Sequence, residues 1–160
     1  MRSVLRQTGV VLMLGLLSLS HGLAADRIES VATGTFEVQM SPVGENEPDS
    51  GVAMGRFVLT KVFSGDMDGE SSGEMLTAMT PVPGSAGYVA IERFAGSLAG
   101  LEGSFMLQHS GTMQGDVRAL TIAIVPDSGT GDLTGLDGTF HLEMVDGVHH
   151  YELRYSLVAD

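Results

Sequence analysis

The chain has no cysteine, no tryptophan, and only 8 lysines and arginines against 20 aspartates and glutamates. Each shortage removes a class of protein. Without cysteine there can be no disulfide, no thiol chemistry and no lipid-modified N-terminal Cys. A net charge of −12 repels a phosphate backbone, and no basic stripe gathers the few cations, so nucleic acid is excluded as a partner. Anionic membrane surfaces are excluded on the same ground. The longest apolar run, Val10 to Leu19, falls well short of the roughly twenty residues a membrane-spanning helix needs. Arg2 and Arg6 precede that run, and the small residues Gly22 and Ala24 follow it. This order predicts a signal peptide over residues 1–24 and one exported domain over 25–160, in the periplasm or outside the cell, soluble once the leader is cut. Nucleophile elbows, phosphate loops and HExxH motifs are also missing from the sequence. No cofactor is expected.

What is present reads as β-structure. The 22 glycines are spread along the chain, and no segment carries a helical apolar stripe. Short β-branched and aromatic runs lie between turn signals instead. The predicted strands are 33–40, 54–64, 73–80, 87–94, 104–111, 117–125, 138–145 and 148–158, with polar loops at 41–51 and 81–86. Eight antiparallel strands with short connections suit a small closed barrel, which has no free edge.

A repeat supports this. GSLAGLEGSFMLQ at Gly96–Gln108 returns as GDLTGLDGTFHLE at Gly131–Glu143, with a shorter relative, GDMDG, at Gly65–Gly69. Glycines accommodate turns and bulges, and the Leu or Met between them can return one side chain to the core. The expectation is one hairpin corner used three times. The run MVDGVHHY gives a firmer hairpin, with Asp146-Gly147 as a two-residue turn. Setting Val145 opposite Val148 places Glu143 against His150 and His141 against Glu152. Phe140 and Leu142 then share the other face with His149, Tyr151 and Leu153.

The run GYVAIERFAGSLAGLEGSFMLQHSGTM (Gly87–Met113), with SGEML before it and VPDSGTGDLTGLDGTF after it, resembles a bacterial family of small proteins known only as a domain of unknown function. The resemblance extends from about Thr33 to Leu157. It implies an all-β, single antiparallel eight-stranded closed β-barrel, similar to that of allene oxide cyclase and the dirigent proteins, with an internal cavity. It implies no reaction, and it carries no cyclase residues onto this chain. Lipocalin and avidin barrels fit less well, because both lean on tryptophan.

Five residues stand out as candidate ligand-binding positions. Glu92, on an alternating strand, shares a face with Tyr88, Ala90 and Phe94. If that face is interior, desolvation raises the pKa of Glu92 and fits it for acid–base or ligand-anchoring work. Replacement by Gln then abolishes ligand binding and leaves the melting curve nearly intact; the competing reading is a structural Glu bonded to Lys61 or to backbone amides. His109 shares a face with Phe105 and Leu107 and could pair with Glu92 across the hairpin, although a satisfied rim histidine explains it as well. Lys61, between Leu59 and Phe63, and Glu74, beside Leu76, are candidates of the same type. His141, Glu143, His150 and Glu152 form a polar tile on the last hairpin, but cross-strand salt pairing accounts for it and no metal is expected. The methionines beyond the leader either line an adaptable cavity or fill core gaps.

Three functions follow from this reading. The leading one is an exported barrel binding a small apolar molecule. The alternatives are an isomerase or cyclase acting on a lipid-derived or phenolic substrate, by fold analogy alone, and a structural subunit of a homo-oligomer. An internal cavity lined by Glu92 and His109 favours binding or catalysis. A packed interior with an apolar outer patch favours assembly.

Overall fold

The computed structural model describes residues 27–44, 48–49 and 51–158. The proposed leader lies outside the described residues. Among those described there is no helix. The strands are β1 (Arg27–Pro42), β2 (Pro48–Asp49), β3 (Val52–Gly65), β4 (Met67–Met79), β5 (Ser85–Leu98), β6 (Leu101–Gln114), β7 (Val117–Ile124), β8 (Thr130–Gly131), β9 (Asp137–Val145) and β10 (Val148–Val158). Each of the eight long strands pairs antiparallel with the next, and β1 closes the circle by pairing with both β10 and β3. The result is a closed eight-stranded antiparallel barrel. Strands β2 and β8 are two-residue additions, on β3 and β6.

The closure is staggered. Arg27 to Phe36 of β1 pairs with β10, while Gly34 to Pro42 pairs with β3. That offset is the tilt a small barrel needs in order to close. One seam is thin: β7 meets β9 through the single pair Ala123 and Thr139.

Alternation fixes which side chains point inward. Strand β3 sends in Phe57, Leu59, Lys61 and Phe63; β5 sends in Tyr88, Ala90, Glu92 and Phe94. Strand β4 contributes small residues at the same level. Gly69 lies opposite Phe63, Ser71 opposite Phe94, and Gly73 opposite Glu92. The stretch MDGESSG therefore reads as a turn by composition, yet it is strand, because its bare positions leave room for bulky neighbours on both sides. This explains why β4 starts at Met67 rather than at the expected Gly73.

The two halves of the barrel differ. One is filled by rings: Phe63 meets Phe94, Phe140 and Tyr151 edge-on at centroid distances of 5.5, 6.3 and 5.7 Å. Such edge-to-face contacts add to the burial of the rings themselves. The Tyr151 hydroxyl accepts a 2.7 Å hydrogen bond from the Met67 amide. The chain between β7 and β9 folds over this end, pairing with β6 through Thr130 and Gly131 and meeting β1 where Arg27 bonds the Gly135 carbonyl.

The repeat is partly a corner and partly something else. Its central apolar residues, Met67, Leu98 and Leu133, are all 0% exposed, as the pattern requires. The first two copies turn β3 into β4 and β5 into β6. The third, at Gly131–Gly135, is not a hairpin corner; it belongs to the segment that closes the barrel end. What the two long copies share lies further on. Gly103 and Gly138 face backbone so closely that a Cβ would collide with the carbonyls of Thr130 and Arg154 respectively. Each glycine is followed two residues later by a core phenylalanine, Phe105 or Phe140.

Candidate functional site

The other half of the barrel is not filled. It holds a cavity of about 440 Å³ walled by Phe57, Leu59, Met75, Tyr88, Met113 and Leu142, among others. Five of these six walls are aliphatic, thioether or phenyl groups, and the sixth is a tyrosine. Tyr88 lies over Gly111, where a Cβ would run into its ring, so the bare glycine lets the tyrosine lie flat against the wall. Burial pushes the Tyr88 phenol above its ordinary pKa. His149 stacks on Phe36 with centroids 4.8 Å apart.

A polar cluster sits between the cavity and the ring-packed half. Four consecutive strands supply it: Lys61 from β3, Ser71 from β4, Glu92 from β5 and His109 from β6. Glu92 is 0% exposed. Its Oε2 accepts a 2.7 Å hydrogen bond from Lys61 Nζ, and its Oε1 accepts one of 2.5 Å from Ser71 Oγ. His109 Nε2 stands 2.9 Å from Oε2, but the approach is poorly aligned and that nitrogen has no well-formed hydrogen bond. Lys61 Nζ also lies 4.8 Å from the centre of the Phe36 ring, a cation–π contact.

The charge state of Glu92 departs from the sequence expectation. Burial does push its pKa up, and this is the largest single effect. The contact with His109, the positive charge of Lys61 and the hydrogen bonds from Lys61 and Ser71 together outweigh it, leaving the pKa at about 2. Glu92 is thus a fixed anion at neutral pH, not a carboxyl poised to exchange protons. Ionised buried groups need such partners, because desolvation alone would neutralise them.

The structure brings together four of the five expected residues: Glu92, His109 and Lys61 in the cluster, and Tyr88 on the wall above it. Glu74 is not among them. It points outward from β4 and forms a two-pronged ion pair with Arg56 at 2.7–3.1 Å, with more than half of each side chain in solvent. Ser71 was missed by the sequence reading, since a lone serine in a Gly/Ser-rich run gives no signal. Of the methionines, Met40, Met75, Met79 and Met113 border the cavity, while Met67 is packed in the filled half.

The last hairpin has the expected register, with Glu143 opposite His150 and His141 opposite Glu152. The expected salt pairing across it does not form: Glu152 instead accepts a 2.7 Å hydrogen bond from Arg154, two residues along its own strand. Among the described residues no group of three or more His, Asp or Glu converges on one point that would suit a metal ion.

The fold and this cluster define a class: a small closed antiparallel barrel, half filled by aromatic rings and half open, with a buried ion pair between the halves. The particular family then follows from comparison. A family model described as a protein of unknown function, DUF3224, matches residues 32–155, and the chain belongs to that family. A crystal structure of a protein with unknown function from the same family, from Shewanella oneidensis MR-1, is 43% identical in sequence. That likeness covers 83% of this chain and 100% of the other, with a TM-score of 0.76. None of the curated proteins matches.

Proposed function

We propose that this protein is an exported binding protein that holds a small, largely apolar molecule in the open half of its barrel. The carrying observation is the 440 Å³ apolar cavity with Lys61 and His109 on its border. Apolar walls with a few converging polar groups are the usual form of a small-molecule site. The fixed anion at Glu92 favours binding over acid–base catalysis, because a carboxylate held at a pKa of about 2 is a poor base at neutral pH. An isomerase or cyclase would have to work through His109 instead. Export rests on the sequence of the leader.

Native mass spectrometry of the purified protein tests the reading. The expected result is an added mass on the folded protein that is lost on denaturation, or uptake of one equivalent of decan-1-ol by the empty protein. Folded protein that carries nothing and takes up no decan-1-ol would overturn it.

A second reading, a homo-oligomer, has its own support. Val58, Leu76, Val89 and Ile91 lie exposed on the outer face of β3 to β5, and Leu76 pairs directly with Val89. Adjacent exposed apolar side chains of this kind mark contact surfaces. The same spectra report the copy number, and a monomer at micromolar concentration would remove this second reading.

A further inference from the structure

The charge balance of the cavity floor says what kind of headgroup it can accept. With His109 uncharged, Lys61 and Glu92 sum to zero. Nε2 of His109 is turned toward the Glu92 carboxylate at 2.9 Å, so in the neutral ring the hydrogen belongs on Nε2 and Nδ1 is left as the acceptor. Lys61 gives one N–H to Glu92 and keeps others. Both side chains border the cavity. The floor therefore offers an acceptor and a donor side by side in a low-dielectric pocket. A headgroup that both gives and accepts a hydrogen bond matches it; an ammonium does not, since the one buried carboxylate is already engaged by Lys61 and Ser71.

We infer that the floor takes a weakly acidic headgroup, a carboxylic acid or phenol, and that a ligand arriving as a carboxylate binds together with one proton. This rests on the binding reading given above. An unaccompanied carboxylate would leave the buried set with a net negative charge, which is costly away from water. Uptake of a solvent proton restores neutrality. The proton goes to Nδ1 of His109, giving an imidazolium between Glu92 and the ligand carboxylate; no covalent bond is made or broken. The other groups at this cavity are Lys61 on β3, Tyr88 on β5 and His149 on β10, with Glu92 beneath. Lys61 is already engaged with Glu92 at 2.7 Å. Tyr88 gives up no proton, since its phenol is pushed further from ionisation. His149 is the competing acceptor for the proton, and it stacks on Phe36.

Isothermal titration with decanoate, decan-1-ol and decylammonium tests the inference, each in two buffers of different ionisation enthalpy. Decanoate should bind with uptake of about one proton and lose affinity as the pH rises, by linkage. Decan-1-ol should bind with neither effect, and decylammonium should bind at least tenfold more weakly than decan-1-ol. His109→Gln, which keeps an N–H for Glu92 but cannot take the proton, should lose decanoate binding at least tenfold and retain decan-1-ol. Retained decan-1-ol binding shows that this variant is folded. His149→Gln should keep the proton uptake. Decanoate binding without proton uptake, or decylammonium binding as well as the alcohol, would overturn the headgroup inference and leave the cavity reading standing. Binding of none of the three would overturn both.

Discussion

Replacing Glu92 by Gln removes the anion from a site that also buries a cation. Lys61 is 7% exposed, and its ammonium has Glu92 as its salt-bridge partner. Breaking a buried pair from one side costs about 3–5 kcal/mol, because the remaining charge is left uncompensated. The sequence alone suggested that this substitution would spare the melting curve; the pairing with Lys61 reverses that expectation. At about 3–5 °C per kcal/mol for a domain of this size, the melting temperature should fall by roughly 10–20 °C at pH 7.

The pH dependence gives an independent handle on the same group. The pKa of Glu92 is lowered from 4.5 to about 2. A depressed carboxylate stabilises the fold above its unfolded pKa, and that stabilisation is lost as pH falls through the folded value. A shift of this size is worth about 3 kcal/mol. The stability gap between the wild type and Glu92→Gln should therefore be widest above pH 5 and shrink toward pH 2. Urea unfolding followed by circular dichroism measures it. The double variant Lys61→Met, Glu92→Leu should recover much of the loss, since removing both charges is often neutral. A gap below 1 kcal/mol at pH 7, or one that widens on acidification, would refute the account of the ion pair.

Other consequences follow from the packing. Ala99 holds φ at 51° in the turn between β5 and β6, a conformation that strains a side chain with a Cβ. Ala99→Gly should raise stability by about 0.5–1 kcal/mol, and a lower melting temperature would contradict this. Leu133 is fully buried in the segment that covers the filled end. Leu133→Ala should cost about 3–5 kcal/mol by leaving a void, whereas a cost below 1 kcal/mol would show that the segment does not seal the core. Ala90 is 4% exposed on the cavity wall. Ala90→Phe should fill the open half and abolish decan-1-ol binding while the circular dichroism spectrum stays unchanged; unimpaired binding would place the ligand elsewhere.

The barrel was legible because alternation and turn residues act locally. MVDGVHHY carries its register within eight residues, and the structure has that register. The Glu92–His109 contact was legible for the same reason, since one hairpin brings the two together. Other features depend on what lies across the barrel. The start of β4, ahead of the expected strand at Gly73, reads as a glycine corner until its small residues are seen opposite Phe63 and Phe94. The third glycine motif has the spacing of a corner, but it follows a two-residue bridge instead of a long strand, so it covers an end. The low pKa of Glu92 could not be read from a single strand, because Ser71 and Lys61 reach it from two others. Glu74 shares the period of Leu76, but that face is the outer one.

The central claim is that the unfilled half of the barrel is where a ligand sits. Methionine methyl resonances report on it directly, because Met75 and Met113 border the cavity, Met67 lies in the filled half and Met54 is exposed. Titrating decan-1-ol into protein labelled at the methionine methyls should move the Met75 and Met113 signals and leave those of Met67 and Met54 in place. Shifts at Met54 alone, or unchanged Met75 and Met113 signals with ligand bound, would contradict the claim.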